Sequence, residues 1–192
     1  MRAAVPKGIL PVMRRLALIC LLPMPALAQP CPAPDPALAA ERAPLFGALA
    51  EAPTEMRGRE IADRIWRSWH VAPDPHAQDL LDTAKRRLRE ADYAEAERLL
   101  TELVAYCPDY AEGWNQRAFA RFLAGDLDDA LGDLDRTLEL EPRHFGALAG
   151  RALALLRQGR AELGQQALRA AVAVNPWITE RYLLAEPPGE KT

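Results

Sequence analysis

Apolar residues recur along the chain with a period of 34 residues between residues 77 and 178. Within each period they follow one another at intervals of about four, which places them on one face of a helix. Each period has a proline near its end, at Pro108, Pro142 or Pro176. Because proline cannot continue a helix, it marks the end of the second helix in each period. The pattern predicts three helix–turn–helix units, at 77–110, 111–144 and 145–178.

Units of this length bury their apolar faces only by stacking on one another. The stretch AEGWNQRAFARFLAGDLDDALGDLDRTLELEP at 111–142 resembles the tetratricopeptide repeat over its whole length, and ADYAEAERLL in the unit before it resembles the second half of that repeat. The resemblance implies an all-α fold, a right-handed α-α superhelix (TPR solenoid) of helical hairpins with short terminal capping helices. The chain is also similar to small exported tetratricopeptide proteins of Gram-negative bacteria.

The amino terminus has the pattern of a secretory signal. Arg14 and Arg15 precede an apolar stretch, and Ala26-Leu27-Ala28 is a typical small-residue cleavage site. We therefore expect residues 1–28 to be removed and the protein to be periplasmic or secreted, with translation starting at Met1 or at Met13.

The segments that flank the repeats are expected to be short helices. Residues 29–36 form a proline-rich lead-in, and 37–76 reads as a degenerate helical pair that caps the stack. We expect Asp35 and Thr54 to cap its two helices and Pro44 to divide the first. Residues 179–192 are expected to form a truncated cap and a tail.

The charge of the chain argues against a nucleic-acid partner. Four of its 24 basic residues and none of its 27 acidic residues lie in 1–28, so the cleaved chain has a net charge of −7. An acidic chain without a basic stripe is not suited to nucleic acid, and no membrane span is expected in the cleaved chain.

Two cysteines, Cys31 and Cys107, remain after cleavage. In an oxidising compartment they favour one disulfide, which would tie the lead-in to the first repeat. The alternative is two unlinked thiols, with Cys107 a small buried apolar residue.

A second face of each first helix lies opposite its packing face. In the tetratricopeptide family that face lines the concave groove, so the resemblance implies a peptide-binding groove in this chain. Its predicted residues are Lys85, Leu88, Asn115, Phe119, Phe122, Leu153 and Leu156. The apolar strip that they form suits an apolar or helical peptide, but too few lysines and asparagines are present for the family's carboxylate clamp. Either the groove is open to a partner, or Trp66, Trp69 and the N-terminal helices fill it.

The remaining polar residues favour structural roles. Arg117, Arg121 and Arg151 lie on packing faces, where their heads are expected to reach carboxylates. His70 and His144 lie in predicted turns without the spacing of metal ligands, so no metal and no cofactor is expected. The only serine, Ser68, is far from any nucleophile motif, so no catalytic residue is expected either.

The sequence thus predicts a periplasmic adaptor that binds a protein or peptide partner, is not an enzyme and is monomeric. The alternative is a structural homo-oligomeric scaffold that assembles through its terminal helices, without a separate ligand.

Overall fold

The computed structural model describes residues 30–185, and over that range the chain is all-α. The predicted signal peptide lies outside the described residues. The helices are α1 Pro36–Ala50, α2 Glu55–Trp69, α3 Pro75–Arg89, α4 Tyr93–Tyr106, α5 Ala111–Ala124, α6 Leu127–Leu140, α7 Phe145–Arg157 and α8 Ala161–Val174, followed by a 3₁₀ helix at Thr179–Leu183.

Local sequence signals explain where the first two helices begin. The Asp35 side chain accepts a hydrogen bond from Ala37 N, and the Thr54 hydroxyl accepts one from Arg57 N, so both predicted caps are confirmed. The expected division at Pro44 is wrong, because α1 continues through it. Pro44 has no amide hydrogen to donate, so α1 lacks one intrahelical hydrogen bond there but continues to Ala50.

The turns within the three repeats share one geometry. Gly125 and Gly159 have φ of 100° and 77°, and Ala91 occupies the same place with φ of 59°. In each turn the amide that follows bonds back to a carbonyl of the last helical turn, as in Asp126 N to Arg121 O at 2.9 Å. These bonds satisfy carbonyls that the helix end would otherwise leave free. The backbone therefore imposes a left-handed residue here even where the sequence supplies alanine.

Helices α3 to α8 form a stack of three hairpins. Each hairpin packs its own two helices together, and α4 packs on α5 and α6 on α7. Small buried residues such as Ala84, Ala118 and Ala152 let the helices approach closely. The arrangement is the hairpin solenoid that the sequence predicts.

The first hairpin does not cap the stack, which corrects that expectation. Helix α2 makes little contact with α3, although the register of a continued stack would place them together. Instead, Phe46, Ile65 and Trp69 share an apolar cluster with Phe145 of α7 and Ile178 beyond α8. The hairpin therefore folds back, with its aromatic residues packed on the third repeat and not on α3.

The C-terminal cap also differs from expectation. Residues 179–183 form a 3₁₀ helix, and Tyr182, which would pack in a further repeat, is 71% exposed. Leu184 packs against the cluster of α7 and α8 instead. The end of the last repeat is therefore covered by this short segment and not by a further α-helix.

Candidate peptide-binding cavity

A cavity of about 640 Å³ lies between the inner faces of α5 and α7, helix α2 and the segment that follows α8. Its apolar wall is formed by Trp66, Phe119, Phe122, Leu153 and Trp177. A cavity of this size and composition is in the range of sites that hold a small ligand or a peptide side chain.

Four of the predicted groove residues line this cavity, namely Asn115, Phe119, Phe122 and Leu153. The other three, Lys85, Leu88 and Leu156, do not. Leu88 packs against the core of the first repeat, and Leu156 packs against Gly164 of α8. The predicted face of α3 is thus separate from the cavity, because α2 lies over the second and third repeats and not over the first.

The N-terminal hairpin fills part of the groove and leaves part of it open. The Trp66 ring lies against Gly146 of α7, where a Cβ atom would overlap it, and Trp177 lies in the same way against Gly58 of α2. These two glycines allow the indole rings to fill the space between α2 and the last repeat. By contrast, Phe119 remains 47% exposed.

Polar contacts fix the hairpin in this position. Arg42 of α1 forms an ion pair with Glu141 at the end of α6, and Arg181 reaches Glu55 of α2 at 2.8 Å. Arg143 lies over the Phe46 ring at 3.9 Å from its centroid. Because these contacts join distant parts of the sequence, the hairpin is an integral part of the domain.

A buried carboxylate, that of Glu112, lies behind the cavity wall. His144 Nε2 is 2.9 Å from Glu112 Oε2, and Asn115 and Gln116 donate their side-chain amides to it at 3.1 and 2.6 Å. His70 Nε2 lies 3.1 Å from Oε1, within ion-pair distance but outside hydrogen-bond geometry. The carboxylate thus anchors α5 to the turn after α2 and to the start of α7.

The hydrogen bonds of His144 define its tautomer. Its Nδ1 accepts the Ala147 amide at 3.1 Å and caps α7, so the ring proton is on Nε2 and is donated to Glu112. Burial by itself would raise the pKa of Glu112, but the neighbouring His144 and His70 lower it to about 2. Glu112 is therefore ionised at neutral pH and acts as an acceptor only.

Sequence reasoning missed this cluster. It placed both histidines in turns and did not connect them with each other or with Glu112. The one available signal was that Glu112 and His144 lie near opposite ends of the same 34-residue unit. Residues placed in this way come together only if the first helices of successive repeats pack side by side. The contact with His70 depends on the folded-back hairpin and has no signal in the sequence.

The other polar residues lie in structural contacts. Arg117 donates to both oxygens of Asp133, at 2.9 and 2.7 Å, and Arg121 bonds Glu97 and Asp133 at 2.7 and 2.8 Å. Arg151 lies 3.1 Å from an Asp135 oxygen. The prediction that these arginine heads reach carboxylates is confirmed.

Ser68, the only serine, accepts from Arg42 and donates to the Ile65 carbonyl. Within residues 30–185, no three side chains of histidine, cysteine or acidic type converge as metal ligands. Over the same range, none of the helices has both the length and the hydropathy needed to cross a bilayer.

Cys31 and Cys107 form a disulfide, with their Cα atoms 5.2 Å apart. Cys107 is the C-cap of α4 and Cys31 lies in the lead-in before α1. The bond joins the start of the described chain to the end of the first repeat, as the sequence favoured.

The comparisons with known proteins agree with this architecture. No protein-family profile matches the chain. A TPR repeat-containing protein of Rhizobium etli is 32% identical over 132 residues, which cover 69% of this chain and 65% of that protein. Tetratricopeptide repeat protein 36 of Xenopus tropicalis is 31% identical over 116 residues, 58% of this chain and 57% of its own length. The chain thus spans somewhat less than two thirds of these curated relatives.

Two solved structures show the same fold over about half of this chain. MamA from Desulfovibrio magneticus RS-1 has a TM-score of 0.51 and 29% identity, and the match covers 54% of this chain and 58% of that one. The TPR2B domain of yeast Sti1, solved in complex with pHsp70, has a TM-score of 0.54 and 22% identity. The match covers 57% of this chain and 91% of that one. The repeated helical hairpins of this chain therefore have the fold of tetratricopeptide repeats.

Proposed function

We propose that this chain is a periplasmic tetratricopeptide adaptor, which holds a protein or peptide segment in the cavity between α2, α5 and α7 and has no chemistry of its own. The observation that carries the proposal is the exposed aromatic ring of Phe119 at a cavity with an apolar wall. Concave sites lined by apolar and aromatic side chains with a few polar groups are the usual form of a ligand-binding site.

The surface that a partner is expected to contact is not that of an open groove. Helix α2 covers the inner face of α7, so a segment that enters contacts α5 on one side and α2 on the other. Only a short stretch of an extended or helical partner fits, with one or two side chains inside the cavity.

A photoreactive phenylalanine analogue at position 119 tests this proposal in cells of the source organism. We expect it to crosslink a partner, because its ring would be in contact with the bound segment. The matched control carries the analogue at Leu163, an apolar residue of α8 that is 45% exposed. Equal crosslinking at both positions, or none at 119, would contradict the proposal.

The periplasmic location is part of the proposal. It is supported by the disulfide, since disulfides persist in oxidising compartments, and by the predicted signal at 1–28. Amino-terminal sequencing of the protein from the periplasmic fraction should begin at Gln29. An intact Arg14 in that fraction would contradict cleavage.

The scaffold is a second candidate, favoured by two exposed apolar residues, Met56 at 72% and Tyr182 at 71%. Against it, most of the apolar surface of the first hairpin is already buried on the third repeat. Light scattering separates the two functions: the adaptor is expected to be a monomer, whereas a stable dimer that Met56→Ser and Tyr182→Ser disrupt would favour the scaffold.

A further inference from the structure

The cavity of the proposed function carries polar groups that its apolar wall does not explain. Asn115 and Asn175 both line it, and their side chains are 7% and 3% exposed. Buried amides of this kind normally use all their hydrogen-bonding groups. Each of these two uses only one within residues 30–185.

The hydrogen-bonding groups of these two asparagines that have no partner in this part of the chain are one acceptor and one donor. Asn115 donates Nδ2 to the Glu112 carboxylate, which can only accept, so its free atom is Oδ1. Asn175 Oδ1 accepts the Trp177 amide at 3.0 Å, so its free group is Nδ2. Neither free atom is fully enclosed by protein. Together they complement the N–H and C=O groups of a peptide backbone.

The charges at the cavity select among peptides. Three charged residues line it, which are Arg59, Asp63 and Glu180. Arg59 and Arg181 share the carboxylate of Glu55, whereas neither Asp63 nor Glu180 has an ion pair among the described residues. The entrance therefore carries two free carboxylates.

A basic residue outside the cavity does not cancel this charge. Arg157 is close to Phe122, but its head bonds the Phe122 carbonyl at 2.8 Å and lies 5.3 Å from the centre of that ring. Arg157 is the last residue of α7 and lies outside the cavity lining, whereas Asp63 lies on α2 and Glu180 in the segment after α8.

From these observations we infer that the partner segment is a peptide with a large apolar residue flanked by lysine or arginine. The apolar side chain enters the cavity, Asn115 and Asn175 bond the backbone beside it, and the basic side chains lie at Asp63 and Glu180. This inference rests on the proposed function and adds the chemistry of the partner, since opposite charges at a rim select partners and suppress wrong ones.

Three blocked peptides test the inference on the purified protein with its disulfide intact. They are acetyl-Gly-Lys-Leu-Lys-Gly-amide, the same peptide with both lysines replaced by glutamate, and the same peptide with leucine replaced by glycine. Binding is measured by calorimetry and by the fluorescence of the cavity tryptophans. We expect the lysine–leucine peptide to bind at least about 10-fold more tightly than either of the others, with the advantage over the glutamate peptide shrinking as salt is added.

Paired variants assign the preference to the cavity. Asp63→Asn with Glu180→Gln should reduce the advantage of the lysine peptide over the glutamate peptide to less than about 3-fold. The matched control, Asp79→Asn with Glu162→Gln, removes two exposed carboxylates outside the cavity and should leave that advantage unchanged.

Each alternative result has a separate meaning. Equal binding of the lysine and glutamate peptides would overturn the inference, and so would a hydrocarbon such as toluene competing as well as the lysine–leucine peptide. In either case crosslinking at position 119 would still support the adaptor. Self-association that blocks the peptides would make a second copy of the chain the occupant and would overturn the inference as well.

Discussion

Glu112 shows how a single side chain links three parts of this chain. Its carboxylate is buried, accepts hydrogen bonds from Asn115 and Gln116 of α5 and from His144 at the start of α7, and lies 3.1 Å from His70 Nε2 at the end of α2. A buried charge is tolerated only where such partners satisfy it. The ring of Trp69 stacks on His144 with centroids 3.9 Å apart, which further excludes water from this group.

The first prediction concerns the acid sensitivity that Glu112 gives to the fold. Its pKa is about 2 in the folded chain and near 4.5 without these partners, so its contribution to stability is present above about pH 4.5 and is lost as the pH falls toward 2. Urea unfolding should show the free energy of unfolding of the wild type falling over this range, with a smaller fall in Glu112→Gln.

At pH 7 the same variant should be less stable by on the order of 2 kcal/mol, since its amide N–H groups would face donors. The control is Glu102→Gln, a helix residue that is exposed, which should stay within about 0.5 kcal/mol of the wild type. An unchanged pH profile in Glu112→Gln would mean that this carboxylate is not the acid-sensitive group.

At the level of the element, the α1–α2 hairpin decides the shape of the binding surface. Two glycines permit its docking, because the ring of Trp177 occupies the space of a side chain at Gly58 and that of Trp66 does so at Gly146. A glycine within a helix usually lowers stability relative to alanine. Here the close approach of the indole rings offsets that cost.

The second prediction reverses the usual effect of replacing a helical glycine. Gly58→Ala should destabilise the protein by roughly 1–3 kcal/mol, because its Cβ overlaps Trp177 and the hairpin must shift. The matched control, Gly132→Ala, lies in α6 with no neighbour within 4 Å and should stabilise it by about 0.5–1 kcal/mol. Chemical denaturation measures both, and a stabilising effect at Gly58 would show that α2 does not dock against Trp177.

At the scale of the whole molecule, the disulfide and the folded-back hairpin close the chain on itself. The cysteines are 76 residues apart in sequence, and the loop between them contains α1 to α4. The same loop sends its first hairpin to the third repeat. A solenoid normally holds only nearest-neighbour contacts, so this chain is joined from end to end in a way that most repeats are not.

The third prediction is that removing the disulfide destabilises the entire domain. In the chain-entropy account, a loop of this length contributes about 4 kcal/mol. Cys31→Ala with Cys107→Ala should lower the urea midpoint, with α2, α5 and α7 losing protection together in hydrogen exchange. Reductant should lower the midpoint of the wild type and leave the variant unaffected; a loss of protection confined to α3 and α4 would argue against the closed arrangement.

The sequence by itself favoured a bond between the two cysteines, and it determined the helices of the three repeats and their stacking. These follow from short-range signals: an apolar period near four, a left-handed residue between the helices and a proline at each exit. It also placed Asn115, Phe119, Phe122 and Leu153 on helix faces opposite the packing faces, because helical geometry defines that face. The family resemblance implied that these faces line a groove.

Only the tertiary structure decided where the N-terminal hairpin goes. Its apolar face is compatible with α3 or with the inner face of α7, and the periodicity of a helix does not say which surface it meets. The choice depends on long-range complementarity between indole rings and glycines that are 80 or more residues apart, as for Trp66 and Gly146. That choice excluded Lys85 and Leu88 from the cavity, joined His70 to Glu112 and turned an open groove into a partly enclosed site.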